Sequence, residues 1–241
     1  MKKRIAFLLC VMMLFLSGCT TPMSSVSLGN VMILGDSYST FEGSIPEGYA
    51  SWYSAEAGYT DVHSERQTWW YQLAERTKSK LLLNCSFSGT TICHTGYDGE
   101  DLKETSFAGR IKKLIEDAFF EDNRVDTLFI YGGLNDYWAH SPLGEPVYGG
   151  WTDQNLYQVY PALCYILSQI QAASPDTRII FIIEEYLGEE MKAGFGQICD
   201  HYGVETISVN NISKQESHPD LKGMDQITDQ IISYLESKEE S

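Results

Sequence analysis

Positive charge is what this chain has least of. Its 241 residues carry 17 Lys and Arg against 33 Asp and Glu, a formal net charge of −16. A protein that grips nucleic acid or an anionic membrane surface needs a cationic footprint, because contacts to phosphate supply most of that affinity. No nucleic acid partner is therefore expected. The acidic residues are scattered rather than blocked, which suits a solvated surface. Cysteine is also sparse, at six, with no CxxC pair and no closely spaced His/Cys set. That excludes a disulfide scaffold and a structural metal centre, and no metal or other cofactor is expected. Repeats and low-complexity tracts are absent. No apolar run reaches the roughly 20 residues of a stable membrane-spanning helix; Ile5 to Leu16 has only 12.

That apolar run belongs to a targeting segment. Lys2, Lys3 and Arg4 form a cationic start, the apolar stretch follows, and it ends in Leu16-Ser17-Gly18-Cys19. The ending resembles the bacterial lipobox, in which the Cys thiol is acylated and becomes the mature N-terminus. Residues 1–18 are therefore expected to be a lipoprotein signal peptide. Residues 19–28 are expected to be the lipidated Cys19 and a short Ser/Thr-rich linker, and 29–241 one domain. The resemblance implies a protein tethered to the cell envelope outside the cytoplasm, touching membrane only through its N-terminal lipid. The mature chain keeps 14 basic against 33 acidic residues, a charge of about −19. Of its remaining cysteines, Cys85 and Cys93 flank one loop and could pair in an oxidising compartment, or remain two half-buried thiols.

From residue 31 the pattern alternates. Short continuous apolar runs (Val31–Leu34, Leu81–Leu83, Thr127–Tyr131, Ile179–Ile183, Val204–Ile207) are separated by helical periodicities over 67–78, 107–119, 163–173, 191–202 and 223–235. Continuous apolar strands between amphipathic helices imply a parallel sheet covered on both faces. The expected fold is α/β: a three-layer α/β/α sandwich around a mostly parallel, five-stranded sheet. In such sheets the ligand site lies beyond the carboxyl ends of the strands. Gly35-Asp36-Ser37 follows the first run, Asn84 to Gly89 follows the second and Gly133-Leu134-Asn135-Asp136 follows the third, so all three should share one edge.

Those segments, in that order and followed by His218-Pro219, resemble the four blocks of the SGNH, or GDSL-type, hydrolases. Gly35-Asp36-Ser37-Tyr38-Ser39 matches the nucleophile block. Asn84-Cys85-Ser86-Phe87-Ser88-Gly89 matches the second at Asn84, Ser88 and Gly89, with Ser86 where a Gly is common. The G-x-N-D block matches fully, and the resemblance spans residues 31–235. It implies the flavodoxin-like fold of that family and a serine esterase with Ser37 as nucleophile and His218 as base. The implied oxyanion donors are the N–H groups of Ser37 and Gly89 and the Asn135 side-chain amide. The chemistry needs such residues: a Ser hydroxyl requires a base to take its proton, and donors fixed around the developing oxyanion commonly supply the largest catalytic term.

One position departs from the family. Its pattern places Asp three residues before the His, but residue 215 is Gln. Gln215 carries no charge; its side-chain oxygen, or a nearby backbone carbonyl, could still accept the imidazole Nδ1 proton and leave a Ser-His dyad. Glu216 and Asp220 are alternative carboxylates without the family spacing. His63, His94, His140 and His201 are not expected to be the base. Aromatic residues crowd the segments after the first and third strands, among them Trp52, Tyr53, Tyr137, Trp138 and Tyr148, and sugar rings stack on such faces. Of Trp69, Trp70 and Tyr71, at least one should pack in the core. The expected activity is hydrolysis of a small ester, O-acetyl on a carbohydrate above all, through an acyl-enzyme on Ser37. The rivals are a glycan-binding lipoprotein with little turnover and a glycan O-acyltransferase. No long apolar lid segment speaks for a lipase.

Overall fold

A computed structural model describes residues 23–239 apart from Ala57. Strands β1 (Asn30–Gly35), β2 (Lys80–Ser86), β3 (Thr127–Tyr131), β4 (Arg178–Glu184) and β5 (Glu205–Val209) form one sheet in the order β2-β1-β3-β4-β5, every pair parallel. Helices α1 (Trp69–Thr77), α2 (Phe107–Glu116), α3 (Phe119–Asp122), α4 (Leu134–Trp138), α5 (Val159–Ala173), α6 (Glu189–Tyr202) and α7 (Leu221–Glu239) connect and cover it. Between β5 and α7 lies a two-stranded antiparallel hairpin, β6 (Lys214–Gln215) and β7 (His218–Pro219).

Both faces of the sheet are covered, which is why its strands read as unbroken apolar runs rather than alternations. Val31, Met32, Ile33 and Leu34 of β1 are all buried, as is every residue of β3. Phe129 and Tyr131 of β3 meet Trp69 of α1 edge-to-face at 6.1 and 5.9 Å. Phe181 stands in register with Ile130, so it points to the other face, and there it meets Phe195 of α6 at 5.1 Å. Helices α1 and α7 thus form one outer layer, and α2, α5 and α6, packed in series, the other. The expected α/β/α sandwich with five strands is borne out. Trp69 and Trp70 are both core residues, at 0% and 2% exposure.

Two expectations differ from the structure. The segment expected to be a linker is described only from residue 23, and its end packs onto the domain: Val26 and Leu28 are buried, and Ser24 bonds Arg76 O and Glu236. Two apolar side chains at alternating positions bury themselves more readily than they stay in water. Cys85 and Cys93 are both free thiols, and both are buried rather than half-buried. Cys85 faces the core from β2, while Cys93 is held by its own bonds, N–H to Asp136 and Sγ to Thr95 O. The segment 1–18 and Cys19 lie outside the described residues.

Candidate active site

Strand β1 delivers Ser37 at the carboxyl edge of the sheet. Gly35 must be glycine there, because a Cβ would sit 2.7 Å from both Ser39 and Ser86. After it the chain turns into a single helical turn, Ser37–Ser39, whose preceding Asp36 side chain accepts the Tyr38 N–H. Asn84 of β2 ties that turn in place by donating to Ser39 O at 2.8 Å.

His218 arrives from the opposite end of the chain. Its Nε2 lies 2.9 Å from Ser37 Oγ, and its Nδ1 lies 2.9 Å from the backbone carbonyl of Glu216. A carbonyl only accepts, so Nδ1 carries the proton, Nε2 presents its lone pair, and Ser37 donates to it. The orienting group is therefore the Glu216 carbonyl rather than the Gln215 side chain, which is exposed and makes no side-chain hydrogen bond among the described residues. The carbonyl reaches the ring because Glu216 and Ser217 both adopt left-handed backbone, with φ of 47° and 64°, closing the two-residue turn of the β6–β7 hairpin. Non-glycine residues in that region are strained, and the surroundings must hold them. Tyr38 OH donates to Ser217 O at 2.6 Å and Tyr53 OH to Pro219 O at 2.8 Å. Lys214 is paired with the buried Glu184 at 2.7 Å, and Glu184 also accepts from Tyr131 OH.

The imidazole is enclosed by rings. Trp52 stacks on it with centroids 3.6 Å apart and planes 9° apart, and Tyr38 meets it edge-on at 5.3 Å. Burial lowers the His218 pKa to about 4, the Lys214 charge adds to the drop, and the Glu216 carbonyl opposes it. Burial, the largest cause, disfavours imidazolium and outweighs the carbonyl, so the base is free at neutral pH. The acid limb of kcat/KM should then fall near pH 4 rather than near the usual histidine value of about 6.5. Gln215 faces His218 across the hairpin ladder, where directly opposed side chains share a face. Gln215→Asp should raise the imidazole pKa and move that limb to higher pH, whereas Gln215→Ala should leave it in place. A pH–rate profile of the two variants checks this, and a limb shifted equally in both would count against the carbonyl as the orienting group.

The oxyanion candidates lie on neighbouring loops, and Phe87, two residues before Gly89, donates its N–H to Gly35 O at 3.2 Å. Asn135 Nδ2 donates to Thr90 O at 2.9 Å, and its Oδ1 accepts from Tyr97 OH at 2.8 Å. One N–H of the amide remains for a ligand, and the Thr90 carbonyl, which only accepts, fixes which end of the amide faces it. Gly89 stands next to Thr90 with φ of +81°, and a Cβ there would meet nothing within 4 Å, so glycine serves the backbone turn. Among the described residues, neither the Ser37 nor the Gly89 N–H is used in a turn, loop or cap hydrogen bond.

Two residues were not singled out from the sequence. Asp136, fully buried, accepts the N–H groups of Ile92 and Cys93 at 2.8 and 3.2 Å and so fixes the loop after Gly89. Burial raises its pKa to about 6 and that of Asp36 to about 7. Arg110 of α2, at 1% exposure, donates to Gly35 O, Cys85 O, Thr90 Oγ1 and Thr105 O. It clamps the carboxyl ends of β1 and β2 to the Gly89 loop. Its signal was present: Arg110 falls three after Phe107 and four before Leu114, inside the apolar stripe of its helix.

The other histidines stand elsewhere. His94 is buried with Nδ1 on Ser106 Oγ at 2.8 Å, His201 stacks on Tyr148, and His63 and His140 are exposed. Tyr137 and Trp138 are about two-fifths exposed at the end of α4. Among the described residues no group of three or more His, Cys, Asp or Glu could hold a metal, and no helix is long and apolar enough to cross a membrane.

Comparison with known proteins agrees with this geometry. No curated protein sequence matches the chain. Among solved structures, a Bacteroides ovatus protein named as a GDSL-like lipase is 40% identical, with a TM-score of 0.81 over 88% of this chain and 100% of its own. A Bacteroides uniformis protein of the same name is 38% identical, with a TM-score of 0.79 over 86% and 94%. An acetyl xylan esterase from the rumen bacterium Butyrivibrio proteoclasticus shares the fold at 16% identity, with a TM-score of 0.54 over 89% of this chain and 65% of its own. The family model for GDSL-like lipase/acylhydrolase matches residues 29–235, and the chain belongs to that family of ester-bond hydrolases.

Proposed function

We propose that this protein removes a small acyl group, acetyl above all, from a carbohydrate by way of an acyl-enzyme on Ser37. The carrying observation is the 2.9 Å contact between Ser37 Oγ and a His218 Nε2 whose other nitrogen is fixed on a carbonyl. Ser37 Oγ attacks the ester carbonyl as its proton passes to Nε2. The oxyanion forms against the N–H groups of Ser37 and Gly89 and the Asn135 amide. Collapse expels the alcohol, which takes the proton from His218, and water repeats the sequence to free the acid. The carbohydrate reading is supported by the aromatic residues about the site and by the name of the acetyl xylan esterase that shares the fold.

The test is release of acetate from an acetylated oligosaccharide, with mass spectrometry of a quenched reaction for an acetyl group on the Ser37 peptide. Acetate passed instead to an added acceptor sugar would make the protein an O-acyltransferase. A second reading, glycan binding with little turnover, is favoured by one observation: among the described residues no carboxylate meets His218 Nδ1. Glycan binding without acetate release would establish it.

The proposal extends to location: a lipid on Cys19 holds the domain at the outer side of a bacterial membrane. Cys19→Ser should then take up no labelled palmitate when expressed in a bacterium with a lipoprotein pathway. Label retained in the variant would refute the anchor.

A further inference from the structure

The segment between Ser39 and α1 does more than connect. Within the segment 42–59, Glu42, Glu47, Glu56, Tyr49, Trp52 and Tyr59, with Ile45, Pro46 and small residues, line an open cavity of about 690 Å³. This wall is bound to both halves of the reaction centre. Trp52 lies on the His218 ring, and its N–H donates to Thr40 Oγ1, which in turn donates to Ser37 O. On the other side Ser88, beside Gly89, donates its N–H to Ala50 O at 2.9 Å, and Tyr49 stacks on Phe87 at 4.7 Å. Two residues that line the cavity, Trp52 and Tyr49, therefore touch His218 and Phe87, which sets the cavity beside the reaction centre.

The chemistry of the wall is one-sided. Its three glutamates are exposed, and among its described residues there is no Lys, Arg or His. Ionised carboxylates only accept hydrogen bonds, so they favour a ligand rich in hydroxyl or ammonium donors and repel an anion. The aromatic surface adds a ring face. Trp52 is covered on one side by His218 and faces Tyr59 at 5.2 Å on the other, while Tyr59 itself is 60% exposed and open to a sugar.

We propose that the 42–59 cavity is the leaving-group subsite, taking the alcohol half of the ester as a neutral or amino-bearing saccharide and rejecting saccharides that carry carboxylate, sulfate or phosphate. This rests on the esterase reading of Ser37 and His218. Three screened carboxylates at a few ångströms give a discrimination of about fivefold at moderate salt, larger when salt is low.

The experiment compares kcat/KM on an O-acetylated methyl glucoside and the matching O-acetylated methyl glucuronide, with p-nitrophenyl acetate as a substrate lacking a sugar. The wild type should prefer the glucoside by about fivefold. The combined variant Glu42→Gln, Glu47→Gln, Glu56→Gln should raise turnover of the glucuronide about fivefold, erase the preference, and leave p-nitrophenyl acetate unchanged. Equal rates on the two sugars at low salt, or a preference unmoved by the triple variant, would overturn the subsite. Absence of Ser37-dependent turnover on all three substrates would instead overturn the esterase reading. The cavity is then decided by calorimetry with a neutral xylo-oligosaccharide and its glucuronate-bearing counterpart: weaker binding of the charged one, relieved in the triple variant, supports the assignment, and equal binding refutes it.

Discussion

Ser37→Ala and His218→Ala should each lower kcat on a short acyl ester by on the order of 10⁴-fold or more, and the double variant should be no worse than either. The two side chains act as one unit: without the imidazole the hydroxyl keeps its proton, and without the hydroxyl the imidazole has no nucleophile to serve. Nothing nearby can substitute. His94 is buried and spends Nδ1 on Ser106, and the remaining histidines are exposed away from the Ser37 turn. The check is steady-state hydrolysis of p-nitrophenyl acetate, with circular dichroism to show that the fold survives. His218 carries the Trp52 stack as well as the proton, so His218→Gln provides a second variant that keeps some of the ring's bulk. Either single variant retaining activity within tenfold of wild type would mean that the nucleophile or the base is elsewhere.

Asn135→Ala should lower kcat by about 100-fold or more with a much smaller change in KM, the pattern of a donor used chiefly in the transition state. The side chain is set for that role before substrate arrives, because Thr90 O and Tyr97 OH hold its two ends. Tyr97→Phe removes one of those bonds and leaves the amide in place, so its effect should be smaller and in the same direction. Asn135→Asp should be at least as damaging as Ala, since a carboxylate would face the developing negative charge. Single-turnover measurement of acylation separates these effects from product release. An unchanged acylation rate in Asn135→Ala would remove the residue from the oxyanion site.

The parts of this molecule that could be read from the chain are those with local periodicity or a fixed motif. The five strands of the sheet appear as apolar runs and the five longer helices as stripes, while the short α3, α4 and the β6–β7 hairpin do not, and Ser37, Gly89 and Asn135 stand at strand ends where the parallel sheet requires its site. What escaped reading depends on contacts between distant segments. The stack of Trp52 on His218 joins residues that nothing local links. The Glu216 carbonyl reaches the imidazole through a left-handed turn made by Glu-Ser, where a turn of that kind usually announces itself by Asn-Gly or Asp-Gly. Of the two acceptors expected near position 215, the Gln215 side chain or a nearby backbone carbonyl, it is the carbonyl of Glu216 that meets Nδ1. Val26 and Leu28 were hidden by the Ser/Thr-rich stretch before them, which reads as a spacer until the core is seen to accept two of its side chains.

Ser37 and His218 are separated by 181 residues, and the hairpin carrying the histidine is made after every strand of the parallel sheet. A ribosome that has finished β4 has specified Ser37, Gly89 and Asn135, the proposed nucleophile and oxyanion donors, but not the proposed base. Contacts of such long sequence separation close late, since the entropy of the intervening loop must be met before they return anything. During refolding, recovery of ester hydrolysis should therefore trail recovery of far-ultraviolet ellipticity. Catalysis in this chain therefore reports docking of the β6–β7 hairpin onto Tyr38 and Tyr53.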